Sequence, residues 1–137
     1  MKELVTYLTF DGKARQAMEF YSRGLGGDLH IMTFGESGQC PGGSEDKVMH
    51  AKLSGPGWTL MASDTMPEMP YTAGNNFSIA LTCESAEDQD RLFATLGEGG
   101  TATMPLQDTF WGARFGMLQD QFGIHWMFNF DHPKPEA

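Results

Sequence analysis

Two histidines, an arginine and a pair of methionines carry the chemistry open to this chain. His125 lies two residues before Met127 in Gly123-Ile124-His125-Trp126-Met127, so in an extended strand both side chains share a face. An imidazole there could act as a general base or donate a hydrogen bond to a substrate. It could equally be a half-buried strand histidine bonded to neighbours or water. His50, inside Met49-His50-Ala51, has the same two readings. Arg114 stands between Ala113 and Phe115 on an otherwise apolar strand. A guanidinium in that setting must be paired or face a wet cavity. It either holds an anionic ligand bidentately or bridges to Asp120, Asp108 or Glu84 as a structural ion pair. Trp111 follows a loop, where it packs into the core or lines a pocket mouth, while Trp126 reads as core. His30 and His132 read as solvated surface residues.

The elements that must position these groups recur. Phe110 to Gly116 and Asp120 to Trp126 form a hairpin pattern, two aromatic and glycine-rich strands around a polar turn. A weaker copy runs from Lys47 to Leu53 and from Gly57 to Met61. Met61 and Met127 match across the two copies, each four residues beyond a glycine, Gly57 or Gly123. Leu4–Phe10 reads as a strand. Ala14, Ala17, Met18, Tyr21 and Leu25 then fall on one helical face, with Asp11 placed to cap its start and Gly24, Gly26 and Gly27 to end it. Leu29–Phe34 is a second strand, and Gly35–Asp46 reads as a loop without periodicity.

The second half repeats the order. Phe77–Cys83 is a strand. Ser85 with Asp88 resembles a capping box before a helix whose apolar face is Leu92, Phe93 and Leu96. Thr101–Met104 is a short strand before the hairpin. Each half is thus β-α-β-β-β: module 1 about 1–66, a linker about 67–73, module 2 about 74–131, and a frayed tail 132–137. That order excludes a doubly wound parallel sheet and points to an α+β fold within a single domain.

Composition narrows the function classes. The chain has 137 residues, 40% of them hydrophobic, with ten Phe and three Trp, enough for a packed core. A net charge of −9 repels phosphate backbones and anionic membranes, so neither nucleic acid nor a membrane surface is an expected partner. No apolar run reaches the roughly 20 residues of a membrane span. Met1-Lys2-Glu3 does not begin a signal peptide, so a cytoplasmic location is expected. Cys40 and Cys83 then read as free thiols. Cys40, beside Pro-Gly-Gly with no base nearby in sequence, reads as inert.

The motifs Tyr7-Leu8-Thr9-Phe10-Asp11-Gly12, Ala17-Met18-Glu19-Phe20-Tyr21, Gly26-Gly27, Met49-His50-Ala51 and the hairpin from Trp111 to Trp126 carry a resemblance over nearly the whole chain. It resembles the vicinal oxygen chelate superfamily of glyoxalases, bleomycin-resistance proteins and dioxygenases, and within it the PhnB-like branch. The resemblance implies two modules forming cupped mixed sheets, and a homodimer. It also implies a divalent metal held by His and Glu on the cupped faces. The corresponding positions fall at Thr6 or Tyr7 and at Met61 in module 1, and at Asn76 and Met127 in module 2. Thioethers and an amide are poor ligands for hard or borderline metals, so no metal or other cofactor is expected. Some PhnB-like proteins carry a demethylubiquinone methyltransferase label. The Gly-Gly pairs here follow helices instead of opening them, and no S-adenosylmethionine loop is evident.

The expected function is therefore binding of a small, partly apolar molecule in a metal-free cup lined by Tyr7, Met61, Asn76, Trp111, Arg114, His125 and Met127. The alternatives are a lyase, isomerase or dioxygenase of the superfamily type, metal-dependent or using His125 or His50, and a purely sequestering protein.

Overall fold

The computed structural model describes residues 1–38 and 43–133. The chain divides into two compact units, Met1–Thr72 and Ala73–Ala137. The first contains β1 (Thr6–Phe10), α1 (Ala14–Leu25), β2 (Asp28–Thr33), the short α2 (Phe34–Ser37), β3 (Val48–Gly55) and β4 (Trp58–Asp64). The second contains β5 (Ile79–Thr82), α3 (Ala86–Leu96), β6 (Thr101–Asp108), β7 (Ala113–Gln119) and β8 (His125–Asp131). Each is a four-stranded mixed sheet, ordered β1-β4-β3-β2 and β5-β8-β7-β6. Only the β1–β4 and β5–β8 pairs are parallel. This is the α+β pair of β-α-β-β-β modules that the hydrophobic periods predict.

Period-2 burial sorts each strand into two faces. In the first unit Leu8, Phe10, Leu53, Leu60 and Ala62 are buried with Ala17, Met18, Phe20 and Tyr21 of α1. Their alternate neighbours stay on the sheet face away from the helix. In the second unit Leu118, Trp126 and Phe128 pack with Leu92 and Leu96 of α3, and Phe93 meets Phe128 edge-on at 5.2 Å between ring centres.

Gly27 joins α1 to β2 at φ +88°. A Cβ there would lie 2.6 Å from the Ser54 carbonyl oxygen, so both the backbone conformation and the close approach require glycine.

The helix starts are capped locally in α2 and α3 and from a distance in α1. Ser85 Oγ accepts from Asp88 N at 3.0 Å, while Asp88 Oδ2 accepts from Glu84 N at 3.3 Å, close to the expected capping box. Asp11 does not cap α1. The N-cap position is Lys13, which makes no side-chain cap bond. Asp64 Oδ1, from the end of β4, accepts the Ala14 N–H at 3.0 Å instead. The expected loop after β2 also contains structure, because Thr33 Oγ1 accepts from Glu36 N and caps the one-turn α2. Cys40 and the tail from Lys134 lie outside the described residues. No helix among the described residues is long and apolar enough to cross a membrane.

Candidate functional site

Strand register assembles the sequence-derived residues on the helix-free face of the first unit. Tyr7 pairs with Met61, Met61 with Lys52, and Lys52 with His30, forming one row across four strands. Thr6 pairs with buried Leu60 and lies on the helix face, so Tyr7 takes the open-face position. Tyr7 is 49% exposed.

His50 lies beside this row on the same face, opposite Met32 and next to an irregularity in β3. β2 pairs Met32 with His50 and Thr33 with Val48, so β3 carries one extra residue, Met49. Such a bulge removes a ladder partner and bends the strand. Asp64 Oδ2 takes up the Val48 N–H at 2.9 Å. One carboxylate, 6% exposed, therefore ties the start of α1 and the bulge beside His50 together. His50 and Lys52 are two residues apart in the regularly paired part of β3 and share a face. The His50 Nδ1 lies 3.2 Å from the Tyr7 hydroxyl, with the rings 5.8 Å apart. When Nδ1 carries no proton the phenol donates to it; a protonated Nδ1 donates to the phenol oxygen. The arrangement can pass a proton to or from a bound molecule, or offer it a polar anchor above the Met61 thioether.

The second unit repeats the row with different chemistry. Ala80 pairs with Met127 and Met127 with Met117. His125 pairs with Gln119 and shares the helix-free face with Met127, as the alternation requires. Phe115, opposite Asn129, lies on the same face. Trp111 is 56% exposed and meets Phe115 edge-on at 5.9 Å and Phe110 at 5.2 Å.

Two sequence expectations are corrected. Asn76 is an exposed residue in a bend before β5, and the residue beside Met127 is Ala80. The strand is shorter at its start than the apolar pattern suggests, which moves the matching position by four residues. Arg114 is corrected also. It shares its face with Gly116 and Leu118, toward α3, where Nη2 meets Asp90 Oδ1 at 2.7 Å and Nη1 meets the Ala86 carbonyl at 3.4 Å. Gln89, fully buried, donates to the Arg114 and Phe128 carbonyls at 2.9 and 3.1 Å and completes this helix–sheet joint. The guanidinium thus has a structural partner, although not Asp120, Asp108 or Glu84. Asp120 is instead the pivot of the β7–β8 turn, accepting from Phe122 N, Ile124 N and Trp126 Nε1 at 2.8–3.0 Å. His132 is exposed and pairs with Asp108 at 2.7 Å.

The donor set does not fit the superfamily's metal centre. Tyr7 and Met61 occupy the row in one unit, Ala80 and Met127 in the other. Among the described residues no three His, Cys, Asp or Glu side chains converge. Neither a phenol beside a thioether in the first unit nor a methyl group beside a thioether in the second gives a hard or borderline cation anything like the usual imidazole and carboxylate set. The thiol of Cys83 is buried on the way into α3. Burial, with a smaller contribution from Asp88 and an opposing one from Arg91, pushes its pKa up to about 11, so it is a poor nucleophile.

Spacing alone does not single out Lys52 or His30. Their signal is strand parity with Met61, visible once β2, β3 and β4 are aligned.

The comparisons with known proteins agree with this architecture. The family model described as 3-demethylubiquinone-9 3-methyltransferase matches residues 2–128. Protein YjdN of Escherichia coli is 32% identical over 144 aligned positions, covering 96% of this chain and 97% of its own. The crystal structure of protein PA1353 from Pseudomonas aeruginosa superposes with a TM-score of 0.90 at 43% identity, covering 97% of this chain and all of that one. A putative 3-demethylubiquinone-9 3-methyltransferase, PhnB protein, from Bacillus cereus gives a TM-score of 0.75 at 30% identity, covering 94% and 99%. The fold is shared with a glyoxalase/bleomycin resistance protein/dioxygenase family enzyme from Burkholderia phytofirmans, at a TM-score of 0.61 and 17% identity over 92% and 95% of the two chains. The chain belongs to the family described as 3-demethylubiquinone-9 3-methyltransferase, to which its PhnB-like resemblance pointed.

Proposed function

We propose that the chain binds a small, partly apolar molecule without a metal, on the helix-free face that carries Tyr7, His50 and Met61. The carrying observation is the Tyr7–His50 hydrogen bond on a half-exposed sheet face beside a thioether. A paired phenol and imidazole offer directional polar contacts, and Met offers an adaptable apolar surface. On the second unit, taken by itself, Met127, His125 and Trp111 are proposed as a ligand-contacting surface of its own. Arg114 is left out because Asp90 holds it on the other face.

Methyl transfer is not part of the proposal. The name belongs to the family and to the Bacillus cereus relative, and this sequence has no glycine-rich loop opening a helix for S-adenosylmethionine. A second reading rests on the same pair: Tyr7 and His50 as a general acid–base couple for a lyase or isomerase. A homodimer in the cytoplasm completes the proposal. The unpaired strand edges and the exposed Phe77, Phe110 and Trp111 support association.

The test is methyl and imidazole NMR of the intact chain with small aromatic and aliphatic probes, with and without a chelator. Signals of Met61 and His50 should move, those of buried Leu53 should not, and chelation should change nothing. Tyr7→Phe should weaken binding severalfold while leaving the fold intact. Probes that move no open-face signal, or that bind only after a divalent metal is added, would defeat the reading. Light scattering should give the dimer mass at micromolar concentration.

A further inference from the structure

We infer that the helix-free face of the first unit selects a small organic anion, a compact carboxylate-like group on an apolar body, with Lys52 holding the charge. This rests on the proposed ligand site and specifies its substrate class. The chain carries a net charge of −9, yet on this face Lys52 and Asp28 balance and the formal charge is zero. Alternation and register give its strand residues as Tyr7 and Thr9 on β1, Thr59, Met61 and Ser63 on β4, His50, Lys52 and Ser54 on β3, and Asp28, His30 and Met32 on β2. They include two imidazoles, an ammonium, a phenol and several hydroxyls. The single carboxylate among them, Asp28, pairs with Ser54 near the end of β3, one row away from Lys52.

Lys52 sits in the middle of the row. Met61 lies opposite it on one side and His30 on the other, and Tyr7 lies beyond Met61. Neither Met61 nor His30 neutralises an ammonium. The lysines and arginines whose acids are identified, Arg15, Arg91 and Arg114, all pair elsewhere. An exposed cation beside a thioether and a polar pair matches an anion whose apolar part lies on Met61 and whose second polar group reaches Tyr7 or His50. Neutral molecules would gain the apolar contact and lose the charge-assisted one. A bare inorganic anion would do the reverse.

The experiment uses the full chain, with benzoate, benzamide and inorganic phosphate as probes, followed by methyl NMR of Met61 and calorimetry. Benzoate should bind at least about tenfold more tightly than benzamide or phosphate. Lys52→Met should reduce benzoate binding to the benzamide level, and Lys52→Arg should retain most of it. Added salt should weaken benzoate and leave benzamide unchanged. Equal binding of benzoate and benzamide, both sensitive to Tyr7→Phe, would overturn the anion inference while leaving the ligand site standing. Phosphate binding as well as benzoate would overturn the requirement for an apolar body. Movement of no Met61 signal by any probe would defeat the inference and the site together.

Discussion

The two units set the same backbone row to different chemical uses. In the first, the row across the sheet is Tyr7, Met61, Lys52; in the second, the register-equivalent residues are Ala80, Met127, Met117. The central thioether is kept, and both polar flanks become apolar. The buried sides are treated in the opposite way. Asp64 ties helix to sheet in the first unit by accepting backbone N–H groups, whereas Gln89 in the second donates to backbone carbonyls and is braced by Arg114. The difference teaches that a repeated frame fixes where side chains point and leaves open what they are. One unit centres its open face on a phenol, a thioether and an ammonium, the other on a methyl group and two thioethers, with His125 at the neighbouring position of β8 on that face.

The largest expected effect tests the hairpins. The first unit turns through Pro56-Gly57, while the second depends on Asp120, 4% exposed, to hold Phe122 N, Ile124 N and the Trp126 indole. Asp120→Ala removes the acceptor of the buried Trp126 indole and of two part-buried backbone N–H groups and should cost about 3 kcal/mol in urea unfolding. A loss below about 1 kcal/mol would show that the two turns are equally self-sufficient.

Next comes pH. Phe10 ends the first strand of unit 1, and the equivalent residue in unit 2 is Cys83, raised from 9.0 to about 11 by burial, with Asp88 adding to the shift. Below pH 9 the thiol is neutral in both folded and unfolded chains, and its stabilising contribution is intact. From pH 9 to about 11 the unfolded thiol ionises first, so stability should fall by about 2 kcal/mol. Cys83→Ala should flatten that part of the urea-midpoint profile against pH. An identical slope in the variant would assign the alkaline loss to other groups.

The rows can also be exchanged. Ala80→Tyr with Met117→Lys gives unit 2 the polar flanks of unit 1 and should add benzoate binding seen at Met127, about a tenfold gain there, equivalent to ~1.4 kcal/mol. No gain would mean that the bulge and His50, not the row, make the site. The smallest effect is expected at Arg114→Met. The Asp90 carboxylate is 59% exposed, so the pair is screened and its loss should cost about 0.5 kcal/mol. Benzoate affinity should be unchanged; a fall would place Arg114 in binding after all.

The element order was legible because helical and strand periods are local properties. Ser85 and Asp88 were legible for the same reason. Asp64 was not, since its partners Ala14 and Val48 are distant in sequence and only the closed sheet brings them near. Arg114 was hard to orient because its face is marked by Gly116, a residue without hydropathy. Parity with Leu118 was the available signal. Asn76 was misaligned because exposed Phe77 extends the apolar run beyond β5. The repeated Leu-Thr of Tyr7-Leu8-Thr9-Phe10 and Ala80-Leu81-Thr82-Cys83 aligns the two strands correctly. The anionic preference could not be seen at all from linear charge, because Lys52 and His30 meet only across strands.

The parallel β1–β4 pair also sets an order of assembly. β1 is an edge strand whose sole neighbour in its sheet is β4, the last strand of the same unit. A nascent chain that has emerged only as far as Gly57 carries a complete first strand whose partner strand is still missing. The loop between the two strands must close before their ladder can form, which makes this pairing entropically late. The Tyr7 half of the row beside Met61 is therefore among the last features of its unit to appear, and the first to be lost if β4 frays.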